Sequence, residues 1–219
     1  MREAIIKTVC EERLIAIVRG IKAEKTLKVA DALYEGGFRL IEITFDQRDP
    51  DSWKTTAKAI SMVAEKYGDS MKVGAGTVVS VFLTELAAKA GAEYIISPDL
   101  NFEVVHRTKE LGLVSIPGVL TPTEIMSAYN AGADFVKLFP AADLGPSYVK
   151  AVRAPISHVP MLAVGGINEK NLASFLDTGI LGAGIGGNLV NREWIEAGEY
   201  KKITVSAKKL VEIVKGYGK

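Results

Sequence analysis

Short β-branched runs alternate along the chain with longer stretches whose apolar positions recur at steps of three and four. This change of rhythm occurs eight times. The runs are LIAIV (14–18), RLIEIT (39–44), MKVGAG (71–76), EYIIS (93–97), LVSIP (113–117), DFVKLF (134–139), PMLAV (160–164) and GAGIGG (182–187). Between the first two, Thr26, Leu27, Val29, Ala30, Leu33 and Tyr34 form one helical face, and Gly36-Gly37 ends it. Gly91, Gly112, Gly132 and Gly179 predict helix stops just before the next strand. Thr121-Pro122-Thr123-Glu124 opens a helix with an N-cap, a proline at the first helical position and an acidic first turn. Residues 2–12 read as an extra N-terminal helix, and a last helix runs from about Tyr200 to Lys215.

Strand starts recur at roughly 20 to 30 residues, the length of one βα unit with its right-handed crossover. Eight such units predict a (β/α)₈ TIM barrel with the extra N-terminal helix. An open doubly wound sheet uses the same units. No linker, low-complexity segment or composition shift divides the chain, so residues 1–219 are expected to form a single domain.

Composition narrows the function. The 219 residues include 27 Lys+Arg, 26 Asp+Glu, two His and one Cys. The near-zero net charge lacks the basic excess that nucleic-acid binding usually leaves. One cysteine, Cys10, cannot form an intrachain disulfide, and with His106 and His158 it cannot build an ordinary zinc site. A carboxylate Mg²⁺ site stays open on composition alone. No uncharged apolar stretch reaches membrane-spanning length, and the charged N-terminus lacks the apolar centre of a signal peptide. A cytoplasmic protein is expected.

In a barrel, strand ends and the loops after them converge on one face, so chemistry is sought there. Lys137 lies inside the apolar run Phe135-Val136-Lys137-Leu138-Phe139. An unpaired ammonium is costly to bury, so such a lysine has a lowered pKa or a partner. At an unperturbed pKa only about 0.04% is neutral at pH 7; a fall of roughly three units leaves half as a nucleophilic amine. That points to a Schiff base with a carbonyl substrate. A structural lysine paired with Glu42 or Asp134 is the alternative. Glu42 sits in Leu40-Ile41-Glu42-Ile43, an apolar setting that raises a carboxyl pKa toward the range useful for proton transfer. Alternation places Leu40, Glu42 and Thr44 on one face.

Gly165-Gly166 and Gly186-Gly187 follow the seventh and eighth runs, where barrel loops commonly bind phosphate through backbone N–H groups. Asn188 would add a donor or a helix cap, and Arg19, after the first run, a neutralising charge. Gly74-Ala75-Gly76-Thr77 would let the backbone approach a ligand, with Thr77 offering a hydroxyl. His106, His158, Cys10, Trp53 and Trp194 fall away from the strand ends and are assigned no role.

These motifs resemble a known family. IEIT (41–44), GAGTV (74–78), ISP (96–98), IPGVLTPTE (116–124), FVKLFPA (135–141), VGGI (164–167) and IGGN (185–188) are similar, in order, to landmarks of the bacterial class I 2-keto-3-deoxy-6-phosphogluconate / 4-hydroxy-2-oxoglutarate aldolases. The resemblance runs from Ala16-Ile17-Val18-Arg19-Gly20 to Glu196-Ala197-Gly198-Glu199-Tyr200. It implies a (β/α)₈ homotrimer, needing neither metal nor cofactor, that cleaves a 2-keto-3-deoxy-6-phospho sugar acid to pyruvate and glyceraldehyde 3-phosphate. Lys137 matches the Schiff-base lysine, Glu42 the general acid/base and Thr77 a contact to the pyruvyl portion. Pro98 matches a residue lining that pocket. Gly166, Gly187 and Asn188 match positions around the phosphate, and Arg19 an arginine near it in some members.

Two positions depart from the phosphogluconate pattern. Asp46 stands where many members carry a substrate-holding arginine, with Arg48 two residues on, and Val164 stands where many carry a threonine. Both departures, with Leu144-Gly145-Pro146-Ser147-Tyr148-Val149-Lys150-Ala151, resemble the 2-dehydro-3-deoxy-6-phosphogalactonate aldolases. Loss of a threonine hydroxyl predicts changed or relaxed selectivity between C4 epimers. Cleavage of 4-hydroxy-2-oxoglutarate to pyruvate and glyoxylate, or phosphosugar binding on the barrel without a Schiff base, are the alternative readings.

Overall fold

The computed structural model describes residues 2–217. The order is α1 (Arg2–Glu12), β1 (Leu14–Val18), α2 (Ala23–Glu35), β2 (Leu40–Thr44), α3 (Trp53–Tyr67), β3 (Lys72–Gly76), α4 (Val81–Lys89), β4 (Tyr94–Ile96), α5 (Phe102–Glu110), β5 (Val114–Ile116), β6 (Gly118–Val119), α6 (Pro122–Asn130), β7 (Val136–Leu138), α7 (Ala141–Arg153), β8 (Met161–Val164), α8 (Leu172–Leu176), β9 (Gly182–Ile185), α9 (Arg192–Glu196) and α10 (Tyr200–Lys215). Every strand pairing is parallel, in the order β5-β4-β3-β2-β1-β9-β8-β7-β6. Because only Pro117 separates β5 from β6, the two ends of this series meet and the sheet closes into the expected barrel. The fifth strand extends beyond the expected run 113–117 and is interrupted at Pro117, which has no N–H to give. β5 pairs only with β4 and β6 only with β7, while the Gly118 N–H turns aside to the Asp99 carbonyl (3.1 Å).

The helix stops follow from backbone freedom. Gly132, at φ 90°, donates to the Tyr129 carbonyl (2.9 Å) while Ala133 reaches back to Ala128 (3.1 Å). This crossed pair satisfies carbonyls that the end of α6 leaves open. At the other end of α6, the Thr121 hydroxyl accepts from the Glu124 N–H and the Glu124 carboxylate from the Thr121 N–H, a complete capping box. α7 is broken at Gly145 (φ 77°), and Pro146 restarts it.

Alternation sorts the strands as the sequence predicts. Ala16, Val18, Ile41, Ile43, Val73 and Ala75 face the helices in the outer core. Ile15, Leu40, Tyr94, Val114, Phe135 and Leu162 fill the barrel interior. Ile5 and Val9 of α1 close its N-terminal end, so the extra helix plugs the barrel below the site. The titratable interior residues Glu42 and Lys137 lie toward the strand C-termini, above this apolar plug.

Candidate active site

Lys137 comes from β7 and Glu42 from β2, on opposite walls of the barrel. Lys137 is 3% exposed and Glu42 1%, yet no ion pair of 4 Å or less joins them, and the amine makes no hydrogen bond among the described residues. Asp134, the other partner expected for Lys137, is already engaged. It accepts from Lys109 (2.9 Å) and the Ser115 N–H (2.9 Å) and pairs with Arg2. The purely structural account of Lys137 therefore has no partner to support it. Its Nζ instead lies 4.9 Å from the centroid of the Phe139 ring. Phe139 is two residues on, on the same face of the chain. Spacing alone could have marked it as part of the site, but an aromatic in an apolar run reads as core.

Burial pushes the Lys137 amine below its ordinary 10.5, with Glu42 opposing that shift and Arg19 adding to it. Burial likewise pushes the Glu42 carboxyl above its ordinary 4.5, against the pull of Lys137 and Arg19. Arg19 is exposed at the end of β1, within electrostatic reach of both. Both shifts run in the direction that amine attack and proton transfer near neutral pH need.

Both shifts also make stability depend on pH. Between the lowered pKa of Lys137 and 10.5, the unfolded chain binds more protons than the folded one, so stability rises with pH across that window. For Glu42 the sign reverses: from 4.5 up to its raised pKa, the folded chain holds the extra proton and stability falls with rising pH. Denaturant unfolding at a series of pH values should therefore show a flatter alkaline rise in Lys137→Met than in the parent chain.

The glycines of the GAGT motif are required by the protein's own packing. A Cβ on Gly74 would lie 2.0 Å from the Tyr94 ring, and one on Gly76 would lie 1.7 Å from Glu42 Oε1. These glycines make room for the protein's own side chains, in register across β2, β3 and β4 (Glu42 beside Gly74, Gly74 beside Tyr94). Thr77 follows in a left-handed conformation (φ 56°), unusual for a β-branched residue, and its carbonyl accepts from Gln47 Nε2 (2.9 Å). Pro98 abuts β6 closely: a Cβ on Gly118 would come within 2.3 Å of the Pro98 carbonyl.

The two Gly-Gly loops lie side by side, tied by a 3.1 Å hydrogen bond from Asn188 Nδ2 to the Ile167 carbonyl. Asn188 is not a helix cap. That role belongs to Asn191, whose side chain accepts from the Trp194 N–H (3.2 Å) at the start of α9. Gly165 (φ 94°) and Gly166 (φ 74°) need glycine's conformational freedom, and a Cβ on Gly166 would meet Ala142 at 2.5 Å. Nothing would meet one on Gly187. The backbone N–H groups of Gly166, Gly187 and Asn188 find no acceptor among the described residues, leaving a cluster of donors at the mouth.

The model of the KDPG and KHG aldolase family matches residues 5–206. The chain belongs to this family. It is 36% identical over 177 residues to the 2-dehydro-3-deoxy-6-phosphogalactonate aldolase of Escherichia coli strain K12, covering 80% of this chain and 83% of that one. Among solved folds, the native KDPGal structure superposes with a TM-score of 0.84 at 32% identity, covering 93% of this chain and 95% of its own. The KDPG aldolase of Legionella pneumophila, with pyruvate captured at low pH as a covalent carbinolamine, also gives a TM-score of 0.84, at 26% identity over 96% and 98% of the two chains.

Within this aldolase family, the two departures have a clear physical form. Asp46 binds Arg48 through both carboxylate oxygens (3.0 and 2.8 Å), and this contact brings its pKa down to about 2. The Arg48 side chain is 90% exposed, so it does not replace the missing arginine inside the mouth. Val164 is buried beside Ile17; a Cβ on Gly184 would lie 3.0 Å from one and 3.1 Å from the other. Where a threonine would offer a hydroxyl, this aldolase presents an apolar wall.

Proposed function

We propose that this chain is a class I aldolase that cleaves a 2-keto-3-deoxy-6-phospho sugar acid to pyruvate and glyceraldehyde 3-phosphate. The observation that carries the reading is Lys137: a buried amine with no counter-ion within 4 Å among the described residues, facing a buried carboxyl across an aldolase barrel. The neutral amine attacks the C2 ketone, and the carbinolamine loses water to give an iminium. Glu42, directly or through water, takes the C4 hydroxyl proton as the C3–C4 bond breaks. The electrons of that bond pass to the iminium, forming an enamine and releasing the aldehyde. Protonation at C3 and hydrolysis free pyruvate and restore the lysine.

The open N–H groups of Gly166, Gly187 and Asn188, with Arg19 at the rim, support binding of the phosphate. Thr77 and Pro98 border the pyruvyl end. The reading needs no metal or cofactor. Assembly as a homotrimer accords with Phe82 and Phe102, which stand exposed on the adjacent helices α4 and α5, and a cytoplasmic location with the single unpaired cysteine.

The apolar Val164 and the self-paired Asp46 favour the galactonate epimer over the gluconate one. A coupled pyruvate assay on the two 2-keto-3-deoxy-6-phospho epimers side by side should give a higher kcat/KM for the galactonate form. Equal rates would remove the preference, and no pyruvate from either would remove the reading.

A further inference from the structure

Thr44 ends β2, two residues past Glu42 on the same inner face. It is 6% exposed, and its hydroxyl is buried with no hydrogen-bond partner among the described residues. A buried, unsatisfied hydroxyl is destabilising, and valine would fill the same shape without that cost. Its neighbours Ile43 and Phe45 are apolar and buried, so the hydroxyl is a local exception. Across the strand its register partner is Gly76, which adds no side chain of its own, and the next residue is the left-handed Thr77. Thr44 and Thr77 thus border the β2–β3 side of the mouth, next to the Glu42 carboxyl.

On that side Arg48 is held by Asp46, and Arg19, at the end of the adjacent β1 and within electrostatic reach of Glu42 and Asp46, is the cation read above as serving the phosphate. A 2-keto acid joined to Lys137 through C2 carries its C1 carboxylate directly beside the reacting carbon. A carboxylate only accepts hydrogen bonds, so it needs donors. We infer that Thr44 is a substrate-positioning residue whose hydroxyl donates to the carboxylate of the 2-keto acid. This rests on the Schiff-base reading of Lys137.

Because the donor is unsatisfied in the free protein, its removal weakens ligand binding without weakening the fold. The probe is pyruvate, titrated against borohydride trapping at Lys137 in the parent chain, Thr44→Val and Thr44→Ser, with thermal unfolding of each free protein. The half-saturating pyruvate concentration should rise about tenfold in Thr44→Val, equivalent to about 1.4 kcal/mol. It should stay within about threefold in Thr44→Ser, which keeps the hydroxyl, as expected for one hydrogen bond to a charged group. Free Thr44→Val should melt no lower than the parent chain. Unchanged half-saturation in Thr44→Val overturns the assignment and leaves the Lys137 reading intact. A lowered melting temperature in that variant makes the hydroxyl structural and also overturns it. Absence of any adduct in the parent chain removes both.

Discussion

Lys137→Gln lowers pyruvate release by on the order of 10⁴-fold or more, with the barrel still folded. Glutamine is one bond shorter, stays polar and cannot form an iminium, so carbon–carbon cleavage loses its electron sink. The fold should survive because the amine takes part in no ion pair within 4 Å and its burial is unfavourable in itself. Lys137→Met should melt at or above the temperature of the parent chain, since it removes a desolvated charge and keeps the volume. Activity lost while stability is kept or gained marks a residue retained for chemistry. Substantial turnover in Lys137→Gln would instead make the lysine a charge for binding phosphosugars. The coupled pyruvate assay and a thermal melt on the same preparations decide between these.

Gly76→Ala should cost roughly 10²–10³ in kcat, within the range expected for removing a general acid/base. The added Cβ would lie 1.7 Å from Glu42 Oε1, and Glu42 is wholly enclosed, so its carboxyl must leave its position. Overpacking of this kind also destabilises by about 1–3 kcal/mol, which denaturant unfolding reads separately from rate. Glu42→Gln should lose about 10²–10⁴ in kcat. If the glycine acts through the carboxyl, the double variant should be little slower than Glu42→Gln alone. Fully additive losses would show that Gly76 has its own role in the reaction.

Much of this site is legible in sequence because the barrel gathers strand ends. Lys137 declares itself as a charge in an apolar strand, and Glu42 likewise. The paired glycines after β8 and β9 read as phosphate-binding loops, and Gly165 and Gly166 make the close backbone turn that such a loop requires. What sequence misreads depends on contacts between distant segments. Gly74 and Gly76 read as room for a ligand, and sequence gives no sign that Tyr94 and Glu42, on the flanking strands, need room there as well. Asn188 reads as a donor or a cap; its side chain donates to the Ile167 carbonyl, and Asn191, closer to the true helix start, is the cap. For Thr44 the sequence gives only a face shared with Glu42: an alternating strand ending in threonine is ordinary, and the lack of a partner for its buried hydroxyl sets it apart. The division of the fifth strand was written in Pro117-Gly118, but its effect on closure depends on β4 and β7 taking separate halves.

The central claim, that Lys137 forms the Schiff base, is tested most directly by reducing the protein with borohydride in the presence of pyruvate and locating the added mass by peptide mapping. The account predicts one reduced pyruvyl adduct per chain, on the peptide containing Lys137, and none in Lys137→Gln. No adduct, or an adduct on any other lysine, would contradict it.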